Sequence, residues 1–120
     1  MTENIEKEAV NREARIGMNE AVFRDVNERI QDVASTFDAT SGPLDLICEC
    51  GDATCVERIS LRSDEYERVR SDPHHFAVAS GHVVPDVEEV VESRPGYDIV
   101  SKSKGIPAEI AQKTDPRSGS

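Results

Sequence analysis

Three cysteines fall close together in the chain, Cys48, Cys50 and Cys55, around Gly51 and Asp52. Clustered thiols can hold a soft metal, exchange with disulfides, or pack as small hydrophobes. The spacing favours the metal. Cys48 and Cys50 are two positions apart, so a strand projects both to the same face. Gly51 permits a sharp reversal and Asp52 tolerates a turn, which brings Cys55 back toward the other two. Three converged thiolates repel one another until a cation joins them, and zinc accepts sulfur and imidazole donors tetrahedrally. The expected fourth ligand is His82, which follows Ser80 and Gly81. His74 and His75, in the polar stretch after Pro73, are the alternatives, with water or a carboxylate completing the options. A thiol redox switch and plain core packing are the competing expectations for the same cysteines.

A catalytic zinc keeps one coordination position open and a general base beside it. Glu49 and Asp52 neighbour the cysteines, yet both read as solvated turn acids. No histidine stands at the spacing of a hydrolase or deaminase motif. A phosphate-binding glycine loop and a Gly-x-Ser-x-Gly turn are also missing from the sequence. The site therefore reads as a structural zinc centre without catalytic residues. The expected function is a non-enzymatic, zinc-stabilised protein-interaction module. A zinc- or redox-responsive regulator and a small zinc or thiol enzyme are the alternatives.

The elements that must position these donors follow from periodicity. Between residues 3 and 37 only Gly17 interrupts a proline-free stretch, and Met18, Val22, Val26, Ile30, Val33 and Phe37 recur every three or four residues. That spacing predicts an amphipathic helix with one apolar stripe, only part of which a small sheet can cover. Arg24, Asn27, Glu28 and Gln31 then form an ordinary solvated face. Leu44–Cys48 and Val56–Leu61 read as strands flanking the cysteine turn. Ser63, followed by Asp64 and Glu65, reads as the N-cap of a short helix. Phe76–Ala79 is a third strand, ended by Ser80 and Gly81. Val87–Ser93 and Tyr97–Lys102 suggest a hairpin about Pro95 and Gly96, with a short helix at 87–91 as the alternative.

The predicted class is α+β: a long N-terminal helix packed on a small, mostly antiparallel sheet with a cysteine-rich zinc knuckle. Residues 1–17 are expected to form a flexible or helical arm and 18–104 the compact zinc-binding domain. Residues 105–120, with one helical turn near 107–112, are expected to form a flexible tail.

The chain's 120 residues carry 24 acidic and 14 basic side chains, a formal net charge of −10. Such a charge repels phosphate backbones, so nucleic acid is disfavoured as a partner. Another protein, or a second copy paired through the N-terminal helix, is the expected one. No stretch approaches the ~18 apolar residues that span a bilayer. The charged start of the chain does not resemble a secretory signal. Unpaired cysteines point to a reducing, cytoplasmic setting.

The run from Asn19 to Ile30, followed by Cys-Glu-Cys-Gly-Asp-Ala-Thr-Cys-Val-Glu-Arg-Ile at 48–59, resembles a group of small acidic bacterial proteins of unassigned function. The similarity extends through Tyr66–Arg70, Phe76–Pro85 and the Gly96-Tyr97 turn, covering residues 15–102. It implies a compact domain and assigns no chemistry.

Overall fold

The computed structural model describes residues 2–36, 42–102 and 105–117, with side chains of the first helix described from Asn11 onward. Helix α1 spans Thr2–Thr36 without a break, a rod about 52 Å long by helical rise. A hairpin of β1 (Pro43–Ile47) and β2 (Arg58–Arg62) follows, then α2 (Ser63–Arg70). The remaining elements are β3 (His75–Ala79), β4 (Glu89–Arg94), β5 (Tyr97–Ser101) and α3 (Gly105–Lys113). No described helix is long and apolar enough to cross a membrane.

The α+β class holds, with the strands divided between two antiparallel sheets, β1-β2 and β3-β5-β4. In the hairpin, Leu44 faces Leu61 and Leu46 faces Ile59; all four are buried, while their sequence neighbours are exposed apart from the half-buried Ile47. This is the alternation of a half-buried sheet. β5 is central and almost wholly buried, whereas β4 lies at the edge and is largely exposed. Pro95 and Gly96 join them, Gly96 taking φ +87°, so the hairpin forms and the alternative helix at 87–91 does not. A proline followed by a residue with positive φ is type II turn chemistry. Helix α2 begins one residue earlier than its sequence suggests. Its N-cap is Arg62, whose N–H donates to Glu65 Oε1 at 2.9 Å, and Ser63 is already helical.

Helix α1 overturns the amphipathic expectation. Met18, Val22, Val26 and Val33 are 50%, 55%, 37% and 57% exposed. Ile30 is half-buried against the core, and Phe37 lies outside the described residues. The inward ridge is instead Glu20, Arg24, Asn27 and Gln31, all buried. The reason is hydrogen-bond demand. Loops and strand ends beneath the helix leave carbonyls that need donors, and long polar side chains reach them. Arg24 donates to the carbonyls of Pro73 and Ala111, both at 2.7 Å, while its guanidinium stacks 4.7 Å from the Phe76 ring centroid. Gln31 reaches the Ser63 hydroxyl at 3.1 Å.

A second buried polar cluster lies under the same ridge. Lys102, just past β5, sits between Glu20 and Glu88 with no solvent exposure at its side chain. Its Nζ is 2.7 Å from Glu20 Oε2 and makes a short contact with Glu88, whose other oxygen accepts from Val84 N–H at 2.8 Å. Neither Glu20 oxygen meets a hydrogen-bond donor in good geometry. Burial pushes the Glu20 carboxyl up to about 9; Lys102 opposes the rise and Glu88 adds to it. Glu20 therefore holds its proton at neutral pH.

Within the expected tail, Gly105–Lys113 form a nine-residue helix with Pro107, Ala108 and Ala111 buried. Helix α3 packs on α1 where Gly17 leaves room: a Cβ there would stand 3.0 Å from Ile110 Cδ1. Gly17 thus admits a neighbouring helix within the continuous α1. Beyond α3, Asp115 is buried against Arg70. Arg117 grips both oxygens of Glu67, at 2.8 and 2.9 Å, and also bonds Glu28. Residues 118–120 of that tail lie outside the described residues, as do 103 and 104 at the expected domain boundary.

Candidate metal centre

The loop between β1 and β2 is held on several sides before its thiols are considered. Asn27 pairs with the Ile47 backbone in both directions, at 2.8 and 2.9 Å, and gives its other N–H to Glu49 Oε2 at 2.8 Å. Asn19 donates to Gly51 O at 3.0 Å. Gly51 lies so close to α1 that an added Cβ would stand 2.4 Å from Ile16 Cγ2. Asp52 Oδ1 accepts from the Thr54 amide and hydroxyl, at 2.9 and 2.7 Å, fixing the turn that returns Cys55. These two bonds hold the Asp52 carboxyl below the usual range.

The chain alternates through this stretch. Cys48 and Cys50 turn to one side, and Glu49 turns to the other, fully buried. The expectation of a solvated Glu49 is therefore wrong. Its carboxylate accepts from Tyr66 Oη at 2.6 Å, from Asn27 at 2.8 Å and from Ala77 N–H at 3.0 Å. Burial raises the Glu49 carboxyl above its ordinary value, and the Tyr66 and Asn27 donors counter it. Glu49 N–H also donates to Ala77 O at 2.9 Å, so the knuckle satisfies the otherwise open edge of β3. Cys48 Sγ extends that cover, accepting from Ala79 N–H at 3.1 Å.

His82 arrives from the end of β3. Gly81 adopts φ +83° and its N–H donates to Asp98 Oδ2 at 3.0 Å, while His82 N–H closes a turn onto Ala79 O at 2.9 Å. The imidazole is thereby presented to the thiols. Its Nδ1 stands 3.6 Å from both Cys48 Sγ and Cys55 Sγ. For zinc with bonds near 2.3 Å to sulfur and 2.05 Å to nitrogen, the S···N edge of a regular tetrahedron is about 3.6 Å. The donor atoms of Cys48, Cys50, Cys55 and His82 all lie within 4.8 Å of one another, close enough to hold a metal ion. His74 and His75 are not part of the group; they flank Asp72, at 3.4 and 3.5 Å.

Without a cation the thiols share protons. A hydrogen bond from Cys50 pulls Cys48 below the ordinary thiol value, helped by the Ala79 amide; the same bond, then burial, pushes Cys50 up. Burial raises Cys55. A metal replaces this proton sharing with three equivalent thiolates.

Sequence reasoning named the four residues that converge and missed what supports them. Asn19, Asn27, Glu49 and Tyr66 fix the knuckle, and the first three were assigned to no role or to solvent. One signal was present: Glu20, Arg24, Asn27 and Gln31 recur at helical spacing with amides among them, as a packed ridge would. Compared with known proteins, the chain matches no family model, no curated protein and no solved structure.

Proposed function

We propose that Cys48, Cys50, Cys55 and His82 bind one zinc ion, and that the domain is a zinc-stabilised protein-interaction module without enzymatic activity. The carrying observation is the pair of 3.6 Å contacts from His82 Nδ1 to Cys48 and Cys55, within a compact set of four donors. Four protein ligands fill a tetrahedron and leave no position for substrate, as in structural rather than catalytic zinc sites. Thiolate-rich donor sets with imidazole favour zinc over hard cations such as calcium or magnesium. Glu49, the nearest acid with a buried carboxylate, spends its lone pairs on Asn27, Tyr66 and Ala77, which leaves it no role as a general base. Reduced thiols fit a cytoplasmic setting. What the module offers a partner is the outward face of α1.

The zinc reading is tested by elemental analysis of gently purified, reduced protein, which should show about one zinc per chain. Chelation should remove it with loss of tertiary structure, followed by near-ultraviolet circular dichroism, and added zinc should restore it. Metal-free protein whose three thiols titrate freely while the fold persists would overturn the reading.

A further inference from the structure

Four of the exposed large hydrophobic side chains, Met18, Val22, Val26 and Val33, lie on one face of α1. With Arg15 and Arg29 they recur every three or four positions, and Val26, Arg29, Ile30 and Val33 line a shallow apolar depression. The ridge that would ordinarily face water is the one buried, so this stripe is left without cover.

The charges along the stripe identify what fits it. Arg29 is neutralised within the helix by Asp25 at 3.1 Å. Arg15 at one end of the stripe is exposed, as is Asp32, which flanks the other end about 100° round the helix from Arg15, and among the described residues neither enters an ion pair. A parallel copy would set Arg15 against Arg15. An antiparallel copy sets Arg15 of each chain beside Asp32 of the other, at both ends, with Val22 and Val26 about the twofold axis. The helix dipoles then oppose as well.

We propose that a second copy of this chain docks antiparallel on the Met18–Val33 face of α1. The proposal rests on the interaction-module reading for its surface and not on the zinc. From Arg15 to Asp32 the helix runs about 26 Å, and a face ~12 Å wide gives roughly 300 Å² per copy. About 600 Å² in total is below the ~1,200 Å² of a stable complex, so the pair is a dynamic, concentration-dependent dimer. The shared charge of −10 opposes contact at low salt, which sets the test at physiological ionic strength.

Sedimentation equilibrium of the full chain should show monomer passing to dimer between micromolar and millimolar concentration. Val22→Glu with Val26→Glu should remain monomeric while keeping its circular dichroism and metal content. Arg15→Asp and Asp32→Arg should each weaken dimerisation by about tenfold or more. Their combination should restore it, because the charges exchange places across an antiparallel pair. A wild type that stays monomeric to millimolar concentration overturns the proposal, as do single charge reversals that the double variant fails to rescue. If a photocrosslinker at position 22 instead captures a different protein in the native cell, with the wild type monomeric, self-pairing is refuted and the interaction-module reading survives. Missing zinc in the same samples would refute the zinc reading and leave the dimer result to stand.

Discussion

Two buried polar clusters fasten helix α1 to the sheets, and they solve the same problem in opposite ways. The knuckle gathers electron-rich donors, three thiols and an imidazole, close enough together to hold a cation from solution. The cluster under Glu20 gathers two carboxylates around a cation the chain supplies itself, Lys102. In each case groups that are negative when ionised are brought together with reduced access to water, fully in the lysine cluster and partly in the knuckle, which is costly unless charge is compensated. In the zinc site proposed above, the knuckle makes compensation conditional on a metal. The lysine cluster makes it permanent, and the Glu20 carboxyl stays protonated because burial disfavours its charge, with the neighbouring Glu88 adding to the rise that Lys102 opposes.

The largest expected effect concerns the knuckle. Cys50→Ser should abolish stoichiometric zinc and lower the melting temperature by on the order of 20 °C, since structural zinc binding is folding free energy. His82→Ala should weaken zinc by more than about 100-fold, beyond the loss typical of an outer-shell change, and His74→Ala or His75→Ala by far less. Metal titration against a chromophoric chelator measures all three. Full retention of zinc by His82→Ala would remove it from the ligand set.

Next in size is the permanent cation. Lys102→Met should cost about 3–5 kcal/mol in urea unfolding, the usual result of stranding a buried charge. Adding Glu88→Gln should recover part of that, because the stranded anion is then gone. Saturating zinc should not rescue Lys102→Met if the clusters are independent. Rescue would dissolve the distinction between them.

The two clusters differ equally in how far the sequence displays them. Cys48, Cys50 and Cys55 announce themselves because spacing and a Gly-Asp turn act within one loop, and Gly81 marks how His82 is delivered. Lys102, Glu88 and Glu20 lie far apart, and nothing local distinguishes them from surface charges. Helix α1 shows the same limit. Its length was readable from periodicity, but its facing was not, because the orphan carbonyls of Pro73, Ala111 and Ile47 that draw Arg24 and Asn27 inward exist only after the loops fold. Likewise α3 gave one apolar turn in sequence, while the pairs Asp115–Arg70 and Arg117–Glu67 that anchor it are long-range.

A smaller effect probes the contact that joins the knuckle to α1. Gly51→Ala should destabilise by about 1–3 kcal/mol, as expected for overpacking, because the new methyl meets Ile16 at a separation no side chain tolerates. Pairing it with Ile16→Ala should return part of the loss. An unchanged denaturation midpoint for the single variant would show that α1 does not press on the knuckle.

The smallest change in side-chain shape, Glu20→Gln, separates the clusters by the sign of their pH dependence. Glu20 is protonated in the folded chain up to about 9, whereas an unfolded glutamate releases its proton near 4.5. Between those values the folded state binds more protons, so this contribution to stability is fully present below about 4.5 and is lost as pH rises through about 9. Zinc behaves oppositely: protons compete for the thiolates, so metal-dependent stability grows as pH rises toward the thiol range near 8.5. Glutamine imitates the protonated carboxyl in shape and charge, so Glu20→Gln should be close to neutral below about pH 4.5 and should stabilise the fold near pH 7, where the wild type must take up a proton to fold. It should remove one pH slope and leave the other. With zinc saturating, the stability of wild type relative to Glu20→Gln should fall by at least about 1 kcal/mol from pH 6 to pH 8, within the limit of 1.36 kcal/mol per pH unit for one proton. Parallel stability curves for the two proteins would mean that Glu20 ionises in the fold. Lys102 would then balance two buried carboxylates at once, and the contrast with the knuckle would rest on the source of the cation alone.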